Sequence, residues 1–365
     1  MTAPRIGYVV GTTAGGTGRH VAMLARGCAD RGMIVSVFGP PAAREAFPEA
    51  AFTPVGIGDR PRPGRDAAAV LRLRRLIARS EPDVVHAHGL RAAAAAALAQ
   101  PRRPGPALLV TVHNAAPPGA LSAAVYRALE RLAARRADAV LCVSADLAER
   151  MRRAGARDVA LAVVPAPPAA APSAGAVEKA RADIAAGGRP LVLAVGRLAP
   201  QKGFDLLVEA MIGLRDRDPA PVLAIAGEGP LADQLAAQAR ASRVGVRFLG
   251  PRCDIPALLA AADVAVVPSR WEGQPLIVQE ALRAGRPLVA SRVGGIPALT
   301  GQDGALLVPP GDPGQLAAAL RSVLDDPALS GRLAASAAAR AAALPSPSDA
   351  IDAVAAVYAR LRARG

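Results

Sequence analysis

Lysine is nearly absent from this chain. Of 44 basic residues only Lys179 and Lys202 are lysines, the mark of a genome that writes arginine by default. Aromatic residues make up 2% of the sequence, which leaves few platforms for stacking bases. With no recognition motif present either, nucleic acid is not expected as a partner. The three cysteines, Cys28, Cys142 and Cys253, are far apart, make no zinc-ligand spacing and are odd in number for disulfides, so they read as buried apolar fillers. Apolar residues reach 52%, mostly alanine, yet no stretch approaches the ~20 uninterrupted apolar residues of a membrane span. The opening MTAPRIGYVVG has no charged start, apolar run and cleavage site of the kind a signal peptide needs, so a cytoplasmic protein is expected.

What is present is unevenly placed. The net charge is +14, and residues 1–170 account for most of it with 23 basic and 12 acidic side chains. A basic domain suits phosphate-bearing substrates or an anionic membrane face. At 365 residues the chain exceeds one hydrophobic core. Short runs rich in valine, leucine and isoleucine (IGYVV, MIVSVF, DVVHA, ALLVTV, DAVLCV, then PLVLAV, PVLAIA, VRFL, DVAVVP, PLVAS, GALLVP) alternate with helical patterns. That rhythm predicts parallel sheets covered by helices on both faces. It occurs twice, separated by the proline-rich VVPAPPAAAPSAGA. The expected organisation is therefore an α/β chain of two doubly wound, Rossmann-like domains facing each other across a cleft: 1–164, a linker at 165–189, and 190–345. A last amphipathic helix over 346–365, capped by Ser348 or Asp349, presents Ile351, Val354, Val357, Tyr358 and Leu361 on one face.

Doubly wound sheets bind ligands beyond the C-terminal ends of their strands, so chemistry is sought there. After the first strand, GTTAGGTGRH lacks the Gly-Lys-Ser/Thr of a Walker loop and the third glycine of a dinucleotide fingerprint. A glycine-rich turn remains (Gly15, Gly16, Gly18), suited to an anion or a hydroxyl-rich ligand, with a ligand-free tight turn as the alternative. All four histidines fall in the first half: His20, His86, His88 and His113. His88 and His113 end strands and face the expected site, whereas His86 lies within a strand and reads as core.

In the second half, strand PLVLAV leads into GRLAPQKGF, where Arg197 and Lys202 form a pair of cations for a diphosphate. Further on, SRWEGQPLIVQEALRAG holds the only tryptophan and two glutamates, Glu272 after a strand and Glu280 in the following helix. The one D-x-D, Asp216-Arg217-Asp218, stands at a helix end before a strand, away from that site, and no metal site is expected.

These motifs, in this order, resemble the family 4 glycosyltransferases of GT-B architecture. The resemblance rests on GRLAPQKG, on SRWEGQPLIVQEALRAG followed by RPLVASRVGGIPAL, and on GALLVPPGDPGQLAAAL, with GGTGRHV and VTVHN in support. It implies retaining transfer from an NDP-sugar (UDP- or GDP-sugar) to a lipid-linked, saccharide or small-molecule acceptor, without metal or cofactor. By analogy His113, Arg197, Lys202 and Glu272 are catalytic. The donor would be held by Gly15, Gly16, Arg197, Lys202, Arg252, Glu272, Gly273, Gln274, Leu276 and Glu280, with Glu272 on the sugar and Glu280 on the ribose. Gly18, His20 and His88 would face the acceptor. Many members carry Gly-Phe-Gly after the first glutamate; here Gly273-Gln274-Pro275 follows, and Pro275 has no N–H to offer. A nucleotide-sugar 2-epimerase and a non-catalytic sugar-nucleotide-binding module are the alternatives. The Arg65–Arg79 segment mixes leucines with Arg72, Arg74, Arg75 and Arg79, which suits peripheral association with an anionic membrane or an ordinary core-facing helix with a basic outer side.

Overall fold

A computed structural model describes residues 2–11, 16–58, 62–101, 105–114, 120–184 and 186–364. They form two compact units: residues 1–167 with 345–365, and residues 168–344. The first contains strands β1 (Arg5–Val10), β2 (Ile34–Gly39), β3 (Ala51–Pro54), β4 (Val84–His88), β5 (Ala107–Val112), β6 (Ala139–Cys142) and β7 (Val159–Leu161). Their order in the sheet is β3-β2-β1-β4-β5-β6-β7. The second contains β8 (Leu191–Val195), β9 (Val222–Ala226), β10 (Val246–Gly250), β11 (Val264–Val267), β12 (Leu288–Ser291) and β13 (Leu306–Val308), ordered β10-β9-β8-β11-β12-β13. Neighbours run parallel in both sheets.

In each sheet the strand order reverses once, between β1 and β4 and between β8 and β11, and loops leaving the two central strands diverge there. Both switch points carry sequence-predicted residues. Val10 pairs with His88 in the first, and Leu193 with Ala265 in the second.

The central strands are continuous apolar runs because both their faces are covered. Along β8, Leu191 and Leu193 point into one buried cluster and Val192 and Ala194 into another on the opposite face. The two strands missing from the sequence reading, β3 and β7, are the sheet edges. They are short and largely exposed, so the long apolar run by which the others are recognised is lacking.

The 165–189 linker reading needs correction. Beyond Pro172 the chain turns at Ser173, whose Oγ accepts from the Ala176 N–H, and forms a helix, Ala174–Ile184. Its Ala180 and Ile184 are buried in the second unit's core. The prolines had stopped, and the small residues behind them are ordinary helix formers.

The C-terminal helix, Pro347–Arg362, belongs to the first unit. Its cap is Ser346, whose Oγ accepts from Asp349 N–H while Asp349 Oδ2 accepts from Ser346 N–H, a capping box in place of the expected Ser348 or Asp349 cap. Ile351, Val354, Tyr358 and Leu361 are buried and Val357 half-buried. Gly27 makes this docking possible: a Cβ there would stand 2.1 Å from Ile351 Cδ1.

Candidate functional site

The second unit's switch point is framed by the loops after β8 and β11. The first runs through Arg197 to a short turn, Pro200–Lys202; the second runs from Pro268 to Pro275, where the helix Leu276–Arg283 begins. Backbone and side chains tie them together. Arg270 N–H donates to Gln201 O at 2.8 Å, and the Gln201 amide donates to Trp271 O at 2.9 Å. The Arg270 guanidinium forks onto Asp205 at 2.7 and 2.6 Å, which holds the Asp205 carboxyl below its usual range.

Within this frame Lys202 Nζ meets Glu272 Oε1 at 2.5 Å, and Ser269 Oγ donates to the same oxygen at 2.8 Å. Gln201 Nε2 lies 3.4 Å from Oε2. The Glu272 side chain is 5% exposed and that of Lys202 20%, so the pair is shielded from screening and each charge depends on the other. A third loop supports the glutamate. Gly295 N–H donates to Gly273 O at 2.7 Å, and Gly294, at φ +53°, passes so close that a Cβ would stand 2.0 Å from Glu272 O. Only glycine fits there.

The other predicted donor residues take varied positions. Arg197 is exposed just past β8 and meets no side-chain partner among the described residues. Gly273 and Leu276 are buried, and Gln274 is half-buried before the helix. Glu280 is half-buried, one turn inside it. Arg252 is engaged elsewhere: its Nε and Nη2 fork onto Asp254 at 2.8 and 2.6 Å. Gly15 lies outside the described residues. Asp216 of the D-x-D is held by Arg321 at 2.5 Å.

At the first unit's switch point the four histidines gather. His88 Nδ1 lies 3.1 Å from His113 Nε2, with the rings stacked at 5.4 Å. His20, on the helix Gly16–Asp30 that also carries Gly18, meets His113 edge-on at 5.8 Å. His86 lies 4.0 Å from His88 between ring centres and spans Thr111 Oγ1 (2.7 Å) and Tyr358 Oη (2.6 Å). All four are buried. Burial lowers the pKa of His20 to about 4, and burial with the neighbouring His20 lowers that of His113 to about 3. His86 and His88 are likewise pushed well down, chiefly by burial. The cluster is therefore neutral at pH 7. His20 Nδ1 and His88 Nε2 have no hydrogen-bond partner among the described residues.

Ser269, Gln201, Gly294 and Tyr358 were not singled out from sequence for these contacts. Ser269 and Gln201 stand inside the quoted motifs, within three residues of Glu272 and Lys202, and proximity was the available signal. Tyr358 is 272 residues from its histidine, and nothing local marks that contact.

Two family descriptions divide the chain along the same lines. "Glycosyltransferase Family 4" matches residues 14–167 and "Glycosyl transferases group 1" matches 189–326, the segment that holds the Lys202–Glu272 pair. The chain belongs to the family 4 glycosyltransferases. Among relatives, glycogen synthase of Mycobacterium tuberculosis is 44% identical over 155 residues, covering 41% of this chain and 37% of that protein. Alpha-D-kanosaminyltransferase of Streptomyces kanamyceticus is 36% identical over 176 residues, covering 47% and 45%. The chain thus spans less than half the length of these curated relatives. The crystal structure of Anabaena HepE in complex with UDP-glucose superposes with a TM-score of 0.82 over 98% of this chain and 99% of that one, at 21% identity, which shows a shared fold. In this family 4 chain the two parallel sheets are thus those of the GT-B class.

Proposed function

We propose that this chain transfers a sugar from a nucleoside diphosphate sugar, UDP- or GDP-linked, to an acceptor with retention of anomeric configuration. The observation that carries the reading is Lys202, fixed on buried Glu272 at a switch point, with Arg197 in the same loop meeting no side-chain partner among the described residues. Departure of the nucleoside diphosphate puts negative charge on the leaving oxygen, and cations already held in place stabilise it without reorganisation. They take the part that a divalent ion plays at other diphosphate sites, so the reading includes no metal and no cofactor.

Glu272 Oε1 is shared by Lys202 and Ser269, and the reading gives this carboxylate no nucleophilic part. Its role is to bind the sugar's hydroxyls and hold Lys202, with Glu280 assigned to the ribose. Gly273, Gln274 and Leu276 complete the donor wall, and Gly16 and Gly15, the latter outside the described residues, are assigned to the donor as well. The bond from the anomeric carbon to phosphate breaks as that to the acceptor oxygen forms on the same face, and the acceptor proton passes to the departing phosphate. His113, kept neutral by burial, contributes a hydrogen bond without a competing positive charge. His88 fixes its ring, while Gly18 and His20 stand on the acceptor side. Arg252, forked onto Asp254, is assigned to the periphery of the donor site.

The relative solved with UDP-glucose makes that donor the first to try. Proton NMR of the product should show the α anomer. A β product refutes retention, and a donor isomerised with no acceptor present supports the epimerase. The acceptor is proposed to be lipid-linked and met at the inner membrane face. On the helix Pro63–Ser80, Leu71 is 57% exposed among exposed Arg72, Arg74, Arg75 and Arg79, while Ala69, Leu73 and Ile77 face the core. Binding to anionic but not zwitterionic vesicles, weakening with salt and with Arg72, Arg75 and Arg79 changed to glutamate, is expected. Protein left in the supernatant at low salt points to a soluble acceptor.

A further inference from the structure

A pocket of about 1030 Å³ opens in the first unit at the edge opposite the histidines, by the N-terminal ends of β6 and β7. Three segments meet there. The helix Ala120–Arg136 ends in Arg135 and Arg136, the turn before β7 brings Arg157 and Asp158, and the C-terminal helix brings Arg360 in its last turn, with Arg364 just beyond its end. Five arginines thus face two aspartates, and both carboxylates are already used. Asp158 Oδ2 is shared by Arg360 and by Arg364 at 3.2 Å, and Asp138 Oδ2 accepts from Leu108 N–H at 2.8 Å.

Arginine in the last turn of a helix ordinarily compensates the helix dipole. The C-termini of the helices Ala120–Arg136, Ala145–Arg153 and Pro347–Arg362 converge here, but at roughly −0.5 charge each they do not absorb a surplus of three positive charges. Arg135 and Arg157, both exposed, meet no carboxylate among the described residues. A genome that favours arginine accounts for their identity, not for their convergence on one concavity. The volume is at the upper end of small-molecule pockets (roughly 300–1,000 Å³), and a planar guanidinium fork matches phosphate oxygens in pairs.

We infer that this pocket binds a small anion bearing two or more phosphate groups, separately from the donor site, through Arg135 and Arg157 with Arg136, Arg360 and Arg364 around them. Because Arg360 lies in the last turn of the C-terminal helix and Arg364 just beyond it, an occupied pocket also holds that helix on the first unit. The same chemistry could be offered by a soluble metabolite or by a lipid headgroup.

Calorimetric titration with inorganic pyrophosphate tests this on the full chain. The wild type should bind two equivalents, one here and one at the donor cations, and Arg197→Ala should weaken only the latter. In Arg135→Gln/Arg157→Gln one equivalent should disappear. Its unliganded melting temperature should stay unchanged, since neither side chain holds the fold. If the donor reading is wrong, the wild type binds one equivalent and the double variant none. Arg157→Lys, which keeps charge but not the fork, should weaken this site at least about tenfold, as loss of a charged hydrogen bond does, and also serves should the double variant fold poorly. Cardiolipin vesicles, whose headgroup carries two phosphates, separate the sources: sedimentation unchanged in the double variant assigns a soluble ligand, and sedimentation lost with the pyrophosphate site assigns a headgroup. Pyrophosphate binding equal to wild type in stoichiometry and affinity, in both the double variant and Arg157→Lys, overturns the site.

Discussion

The two switch points have the same topology and opposite electrostatics. At the second unit a half-buried lysine is paired with a buried glutamate, and three loops are tied around them. At the first, four histidines are buried together as neutral rings, with Tyr358 donating its order from a helix at the far end of the chain. A pair of opposite charges withstands burial because each compensates the other, whereas four bases of one kind withstand it only by giving up their protons. The first arrangement suits stabilising a leaving diphosphate; the second suits placing uncharged hydrogen bonds beside sugar hydroxyls.

The strongest way to break this comparison is to remove one side. Ending the chain at Leu344 deletes Ile351, Val354, Tyr358 and Leu361, each worth about 1.5–3 kcal/mol of burial, a loss comparable to the 5–15 kcal/mol stability of a whole domain. Calorimetry should then lose the first unit's transition and keep the second's. An unchanged melting profile refutes the docking of this helix.

Next comes the charged pair. Lys202→Ala should lower turnover by roughly 10² or more. It should also cost about 3 kcal/mol, because Glu272 is left buried without a counter-charge. Adding Glu272→Gln should restore most of the stability and none of the activity. Recovery of activity in the double variant would show that the pair is structural. Smaller again is Gly294→Ala, which must adopt φ +53° and push on the Glu272 carbonyl; about 1–3 kcal/mol is expected, with turnover falling alongside. A fully active, equally stable variant would mean that this loop does not hold Glu272.

Both switch points were legible in the sequence as places, and much less so as contacts. The apolar runs located β1, β4, β8 and β11, and the rule that ligands sit beyond strand ends led to His88, His113, Lys202 and Glu272. Lys202 and Glu272 were read as two separate tools, one for phosphate and one for sugar. Their pairing across 70 residues could not be seen, because a salt bridge depends on how two loops converge and leaves no period or spacing behind. Arg252 was missed differently: its fork is spent on Asp254, a carboxylate only two residues away that the sequence already displayed. His86 was read as core, and it is buried; what escaped was that its two nitrogens connect Thr111 to Tyr358. Edge strands and the helix Ala174–Ile184 were missed for a different reason, since the signals sought were long apolar runs and prolines, and these segments lack the first or lie just past the second.

The smallest expected effect sharpens the comparison most. His20 is held at about 4 in the folded state against about 6.5 when exposed, so the unfolded chain takes up its proton first as pH falls. Its contribution is therefore fully present above pH 6.5 and lost between 6.5 and 4, at about 1.4 kcal/mol per pH unit, with His113 continuing the loss towards 3. The second unit contains no histidine and should show no such slope in that window. His20→Leu removes a buried ring whose Nδ1 has no partner among the described residues, so near pH 7 stability should change by less than about 1 kcal/mol. In denaturant titrations between pH 7 and 4.5 the variant's stability should fall less steeply than wild type's, by about 1.4 kcal/mol per unit in the first unit's transition alone. The second transition, recognisable because Lys202→Ala moves it, should not respond. Equal slopes in variant and wild type would mean that His20 is not kept neutral by burial, and the contrast between a charged and an uncharged switch point would then rest on Lys202 and Glu272 alone.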